Sequence, residues 1–227
     1  MLRAEPGWQE AIASAIAAAP RPLRSDPRFF ARDPAGRVNY ERFDRSRFPT
    51  ARPAATLLLL YPGLDGELVI PLTVRHATLR AHAGEISLPG GAVDPTDASP
   101  EAAALREAYE EIGVEPAAVR ILGELDEVWI PVSNFELRPF IGAMELRPEL
   151  RAHDAEVEEI VELPLRLILT DEIVQEEEIS GRNWVLRAAV YRHAGHRIWG
   201  ATAITLAMFA TALAEAASPA PQESGSR

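Results

Sequence analysis

The sequence predicts an α/β fold, a mixed sheet flanked by helices, and three observations predict it. Ala55 to Tyr61 (ATLLLLY) is a continuous apolar run, as in a strand buried on both faces. Turn signals at Pro62-Gly63 and Asp65-Gly66 follow it, and Glu67 to Arg75 (ELVIPLTVR) returns as a second strand. A helix with both ends marked then lies between Ser99 and Gly113. Ser99 is a good N-cap, Pro100 suits the first helical position, and Gly113 can close the last turn in a left-handed conformation.

Composition bounds what such a chain can do. Its 227 residues suit one domain with extensions, and 47% apolar with 25% charged residues is the balance of a soluble globular protein. There is no cysteine, which excludes disulfides, thiolate metal sites and cysteine nucleophiles. Apart from histidine every basic residue is arginine, so a lysine Schiff base is excluded too. A net charge of −11 argues against a broad surface for nucleic acid. An anionic substrate therefore needs a local arginine cluster and a metal. No run approaches the ~18 apolar residues of a membrane span. The N-terminus lacks the charged-then-apolar order of a signal peptide, so a cytoplasmic location with no membrane partner is expected.

Taken in order, Trp8 to Ala19 (WQEAIASAIAAA) reads as an alanine-rich helix. Pro20 to Pro53 is rich in arginine and proline, but Asp26, Asp33, Glu41 and Asp44 interrupt the positive charge, which favours an ordered lead-in lining a cleft over a nucleic-acid arm. After the marked helix, Ala117 to Trp129 reads as a strand leading into a turn at Pro131. Val132 to Ile141 alternates like a half-buried strand, with Pro139 pointing to an edge or a bulge. Glu156 to Leu165 reads as a strand, Pro164 to Leu169 as a short helix, Asp171 to Ile179 as an acidic loop and Val185 to Arg192 as a strand. Ala201 to Ala216 is a helix packed over the sheet, and Ser218 to Arg227 is small, polar and expected to be disordered.

The chemistry concentrates in REAYEE, Arg106 to Glu111. On a helix Glu107, Glu110 and Glu111 stand at i, i+3 and i+4, with about 5–6 Å between Cβ atoms. Three like charges so placed repel one another, and an all-oxygen set suits a hard cation, Mg²⁺ or Mn²⁺. The alternative is a solvated acidic face. Arg106, four residues before Glu110, is placed for an orienting ion pair. Upstream, Arg75 and Arg80 can make bidentate contacts to phosphate oxygens or pair with the helix glutamates, and Gly84 would allow close backbone approach. Ser133, Asn134 and Phe135 either line a binding pocket or form a hairpin turn. Glu156, Glu158 and Glu159 are an extra metal ligand, a general base, or exposed positions on an alternating strand. The five histidines show no metal-ligand spacing.

The stretch Gly90 to Val114 (GGAVDPTDASPEAAALREAYEEIGV) resembles the Nudix box, G-x5-E-x7-R-E-U-x-E-E-x-G-U with U aliphatic. Gly91 fills its first position, and Arg106, Glu107, Glu110, Glu111, Gly113 and Val114 fill the distal half, with Ala108 where a larger aliphatic residue is common. The first Glu is missing: counting forward from Gly91 reaches Asp97, counting back from Arg106 reaches Ala98, so the loop carries one extra residue. Leu72 to Gly91 (LTVRHATLRAHAGEISLPGG) further resembles the LLTxRSxxxRxxxGxxxFPGG signature of the coenzyme A pyrophosphatase branch, with His76 for the Ser, Leu88 for the Phe and Pro71 for the first Leu.

This resemblance implies a Nudix α/β/α sandwich whose box is a loop-helix-loop, with 1–54 as a lead-in packed on the domain, 55–216 as the hydrolase domain and 217–227 as a disordered tail. It implies Mg²⁺ or Mn²⁺ held by Glu107 and Glu111, with help from Glu110 and a carbonyl near Gly90. Glu110 is the first candidate for general base and Glu159 the second. Arg75, Arg80, Gly84, Ser133 and Asn134 are implied substrate contacts. The implied reaction is hydrolysis of the diphosphate of coenzyme A and its derivatives to 3′,5′-ADP and 4′-phosphopantetheine. Two rival readings stand beside it: the same chemistry on ADP-ribose, dinucleotides or nucleotide sugars, and a non-catalytic nucleotide sensor. The partner is a small nucleotide diphosphate, and a homodimer is compatible with the sequence.

Overall fold

The computed structural model describes residues 3–23, 25–33, 35–38, 50–76, 84–181 and 184–217. Its centre is the parallel pair β1 (Arg52–Pro62) and β7 (Phe135–Ala143), in register from Arg52↔Phe135 to Leu60↔Ala143. A parallel pair is normally covered on both faces, which is why Leu57, Leu58, Leu59 and Leu60 can all be apolar and all fully buried. Each such side chain contributes about 1.5–3 kcal/mol by leaving water.

β1 turns into β2 (Leu68–Arg75), but the two pair only at Tyr61↔Val69 and Pro62↔Leu68. Beyond that they part, and the chain from 86 to 92 enters the gap. There β3 (Ile86–Ser87) pairs with β2, and β4 (Gly90–Ala92) pairs with the start of β1. β8 (Val157–Pro164) covers the far edge of β2. β5 (Arg120–Glu124) and β6 (Val128–Ile130) share the far edge of β7, completing a mixed sheet of eight strands.

Helices cover both faces. On one, Ala103, Ala104, Ala108 and Ile112 of α2 (Pro100–Ile112) pack on Ala55, Leu57, Leu59 and Tyr61. On the other, α1 (Trp8–Ala18) and, after the short α3 (Leu165–Ile168), α4 (Gly200–Ala217) bring Ile12, Ile16, Leu206 and Phe209 onto Leu58, Leu60, Ile70 and Leu72. This is the expected α/β/α sandwich. A separate antiparallel sheet is made by β9 (Val174–Gly181), β10 (Trp184–His193) and β11 (His196–Ile198). Among the described residues no helix is long and apolar enough to cross a membrane.

Three elements depart from expectation. Ala117 to Trp129 is not one strand: it is a 3₁₀ turn at Pro116–Ala118, then β5, then β6. β7 is central, and Pro139 stands where its neighbour changes from β5 to β6, so its missing N–H removes nothing from the ladder. Its carbonyl still accepts from the Leu125 amide at 2.9 Å. The acidic loop at Asp171 to Ile179 is largely β9, because Arg192 and Arg187 of β10 stand beside Glu177 and Glu178 and offset the run of like charge. The tail 218–227 lies outside the described residues.

Candidate active site

The site lies where β1 and β2 part, under α2. Ser99 Oγ accepts from the Ala102 amide at 3.1 Å, Pro100 opens the helix, and the Gly113 amide donates to Tyr109 O at 2.9 Å with Gly113 at φ 73°. The buried alanines let the helix lie close to the sheet, so the small Ala108 is the residue the interface accommodates. Glu111 thereby enters the interior at 4% exposure. Its carboxylate takes a hydrogen bond from the Gly90 backbone and a long one, 3.5 Å, from Thr73 Oγ1 of β2.

The two glycines of the loop lie in close contact, Gly90 against backbone and Gly91 against a side chain. A Cβ on Gly90 would stand 2.5 Å from the Ala55 carbonyl, and one on Gly91 would stand 2.5 Å from a Glu107 carboxylate oxygen. Both are far inside van der Waals distance.

Burial raises the pKa of Glu111 to about 8, the charge of Glu107 adds to this, and Arg75 opposes it. Burial raises Glu107 as well, against the pull of Arg106. The charge of Glu156, just before β8, raises both. Three carboxylates thus act on one another across the gap. Arg75 ends β2 beside them, and among the described residues its buried Nε has no hydrogen-bond partner.

Arg106 gathers the acidic groups around the loop. Its Nε and Nη2 donate to Asp97 Oδ1 and Oδ2 at 2.9 and 3.0 Å, and its Nη1 donates to Glu107 and Glu110, each at 2.9 Å. The Asp97 side chain is 6% exposed, and Arg106 holds its pKa below the ordinary carboxylate value. The extra loop residue is absorbed locally: Asp94 Oδ1 accepts from the Thr96 amide at 2.9 Å, and the Asp94 amide donates to Asp97 Oδ2 at 2.8 Å. Asp97 therefore reaches Arg106 although the spacing back from Arg106 points to Ala98.

The structure brings Glu107, Glu111, Gly90, Arg106 and Arg75 together. Glu110 is half exposed and joined to Arg106, and it borders a surface hollow with Arg151 and His153. Glu159 pairs with Val74, which belongs to the core under α1 and α4, and its carboxylate meets His196 Nε2 at 3.1 Å, on the other side of the sheet from Glu111. Gly84 has φ 71° and donates its amide to Arg75 O, and among the described residues nothing lies within 4 Å of where its Cβ would be. Its positive φ serves the turn there. Ser133 and Asn134 lie at the turn into β7, beside the start of β1. Arg80 lies outside the described residues. Two residues were under-read from sequence: Asp97, set aside because its spacing is off by one, and Glu156, passed over in favour of Glu159.

The donor set fits a hard divalent cation: crowded carboxylates, one of them buried, around a backbone cradle. Among the described residues no group of three or more His, Cys, Asp or Glu is placed to hold a metal ion. Mg²⁺ is ordinarily held by one or two carboxylates with waters and substrate phosphates, and Glu107 and Glu111 supply that number.

A NUDIX domain family model matches residues 50–204. "Nudix hydrolase 15, mitochondrial" of Arabidopsis thaliana is 35% identical over 166 residues, 70% of this chain and 58% of that protein. "Nudix hydrolase 22, chloroplastic" of the same plant is 34% identical over 183 residues, 77% of this chain and 60% of that protein. The "Uncharacterized Nudix hydrolase NudL" of Escherichia coli (strain K12 / DH10B) is 39% identical over 132 residues, 58% of this chain and 68% of that protein. The chain spans less than two thirds of the length of either plant relative.

Proposed function

The chain belongs to the Nudix family, and from that membership we propose that it is a divalent-metal-dependent pyrophosphohydrolase whose substrate is coenzyme A or a derivative, cut to 3′,5′-ADP and 4′-phosphopantetheine. The observation that carries the reading is the pairing of Glu107 and Glu111 on one helix face against Gly90 and Gly91, with the unpartnered Arg75 Nε beside them. A diphosphate bridge repels an incoming nucleophile through its own charge. A divalent ion at Glu107 and Glu111 would neutralise that charge and favour attack by water.

The remaining work falls to the chain. Glu107 and Glu111 would hold the ion, and Arg106 would keep Glu107 oriented through its clamp on Asp97. Arg75 directs a buried donor toward a phosphate oxygen. A carboxylate must accept the proton of water. Glu110 is occupied by Arg106, which leaves Glu156 as the acidic group outside the helix whose charge reaches both metal carboxylates. For coenzyme A in particular, the support is the resemblance of Leu72 to Gly91 to that branch of the family, together with the position of Arg75 from that stretch at the site.

The test is product analysis after incubation with coenzyme A, ADP-ribose and NADH, each with Mg²⁺ and with Mn²⁺. Release of 3′,5′-ADP from coenzyme A well above turnover of the others is the expected result. Preference for ADP-ribose or NADH would discard coenzyme A and retain the hydrolase. No turnover of any substrate would leave the nucleotide sensor.

A further inference from the structure

Resting on the proposed metal site, we infer that Thr56 and Thr73 are positioning residues that hold the Glu111 carboxylate in place for the ion. Thr73 acts through its own hydroxyl, and Thr56 acts through the Pro89-Gly90 peptide.

The two threonines lie on the strands that part at the site, Thr56 on β1 and Thr73 on β2, at 4% and 1% exposure. Among the described residues the buried polar or charged side chains are Gln9, Thr56, Thr73, Glu111 and Thr205, and three of these five stand around this one gap. A valine would fill either threonine's space without the cost of burying a hydroxyl. The hydroxyls are therefore the informative part.

Alternation along β2 sends Leu72 and Val74 into the core under α1 and α4 and turns Thr73 to the opposite face, where Glu111 enters. Thr73 Oγ1 is 3.5 Å from Glu111 Oε2 and 3.4 Å from both the hydroxyl and the carbonyl oxygen of Ser87 on β3. An ionised carboxylate is the strongest acceptor within that reach. Ser87 can donate to Thr73 in turn, which leaves the Thr73 proton for Glu111.

On the other side, Thr56 Oγ1 donates to Pro89 O at 2.7 Å, and the Leu57 amide donates to the same oxygen at 2.9 Å. Both of its acceptor positions are then used. The carbonyl and amide of a trans peptide point in opposite directions. Holding Pro89 O against β1 thus turns the Gly90 N–H away from β1. The register agrees, because Thr56 opposes Gly90 one step from the hydrogen-bonded Leu57 and Pro89, where an antiparallel ladder leaves the amide unused. That amide goes to Glu111. The loop also lies tight on Thr56, since a Cβ on Gly90 would stand 2.7 Å from its Cα. Glu111 therefore receives two donors, each fixed by a buried threonine on a different strand.

Mg²⁺ titration by calorimetry on the full chain, beside steady-state kinetics and a thermal melt, tests this. Thr56→Val and Thr73→Val should each weaken Mg²⁺ binding by about 10-fold, with the substrate KM at saturating Mg²⁺ little changed. Thr56→Ser and Thr73→Ser keep the hydroxyl and should restore most of the affinity. Unchanged Mg²⁺ affinity in both valine variants, with coenzyme A still cleaved, would overturn the positioning role and leave the proposed reaction standing. Weakened Mg²⁺ binding in valine variants of a protein that cleaves none of the substrates would do the reverse. Serine variants no better than the valine ones would reduce the threonines to packing residues, and an effect confined to one position would strike the other from the proposal.

Discussion

Asp97 and Arg106 form a two-pronged ion pair at 2.9 and 3.0 Å, nine residues apart, across the start of α2. The same guanidinium holds Glu107 and Glu110, so a single cation fixes the loop, a carboxylate of the proposed metal site and the next turn of the helix at once. Asp97 is too enclosed for this to be an ordinary surface pair, whose two long side chains gain little in water. The pair orients the guanidinium: without Asp97, Arg106 loses its bidentate anchor, and Glu107 loses a partner held in a fixed position.

Asp97→Asn should therefore lower Mg²⁺ affinity and turnover, each by about 10- to 100-fold, because groups that orient a metal ligand carry effects of that size. The fold should survive with about 1 kcal/mol lost. Mg²⁺ titration by calorimetry beside a thermal melt checks both. A variant that loses only stability would reduce the pair to a structural brace.

The metal-free protein should lose stability as pH rises from about 4.5 to about 8. Glu111 ionises near 4.5 when exposed but only near 8 in the fold, so the folded state binds the extra proton in that window. The contribution is fully present below 4.5 and gone above 8, and the raised pKa of Glu107 acts in the same direction. Glu111→Gln should flatten this dependence, melting roughly 5 °C or more above the wild type at pH 8.5 without metal. Added Mg²⁺ should reverse the order, since only the wild type has the carboxylate proposed to bind it. Turnover in the variant should fall by orders of magnitude. Melts at several pH values, with and without Mg²⁺, decide the matter, and parallel pH profiles for the two proteins would remove Glu111 from the site.

What could be read in the sequence was local. Ser99, Pro100 and Gly113 fix α2 by rules acting within one turn, and both ends fall where those rules put them. The apolar run in β1 was equally plain, because burial on both faces leaves no alternation to interpret. Pairing was not legible. β9 carries three consecutive glutamates and becomes a strand because β10 brings arginines beside them. Pro139 reads as an edge residue and sits in a central strand, because the break between β5 and β6 is a property of three segments together. Asp97 was obscured for the same reason: a count of residues does not register the turn at Asp94 that shortens the path.

Gly91→Ala offers a test of geometry with almost no change in composition. The added methyl would stand 2.5 Å from the Glu107 carboxylate, and that side chain must move. A displacement of about 1 Å at a reacting centre costs on the order of 100-fold. Turnover should fall by that amount, while the melting temperature changes little, because a side-chain end yields more easily than backbone. An active enzyme with normal Mg²⁺ dependence would show that the position of Glu107 is not critical.

Glu156→Gln and Glu110→Gln should separate the proton acceptor from the brace. The charge of Glu156 acts on Glu107 and Glu111 together, from the strand side of the gap. Glu110 is half exposed and bonded to Arg106 at 2.9 Å. A general base contributes about 10²–10⁴ in rate, and its loss removes the acid limb of the pH–rate profile. Glu156→Gln should show both effects, while Glu110→Gln should cost about 10-fold or less and keep the limb, as expected of a group that helps hold Arg106. The opposite pattern would make Glu110 the base and place Glu156 among the charges that merely crowd the ion. Equal and small losses in both would mean that water reaches the diphosphate without help from either carboxylate.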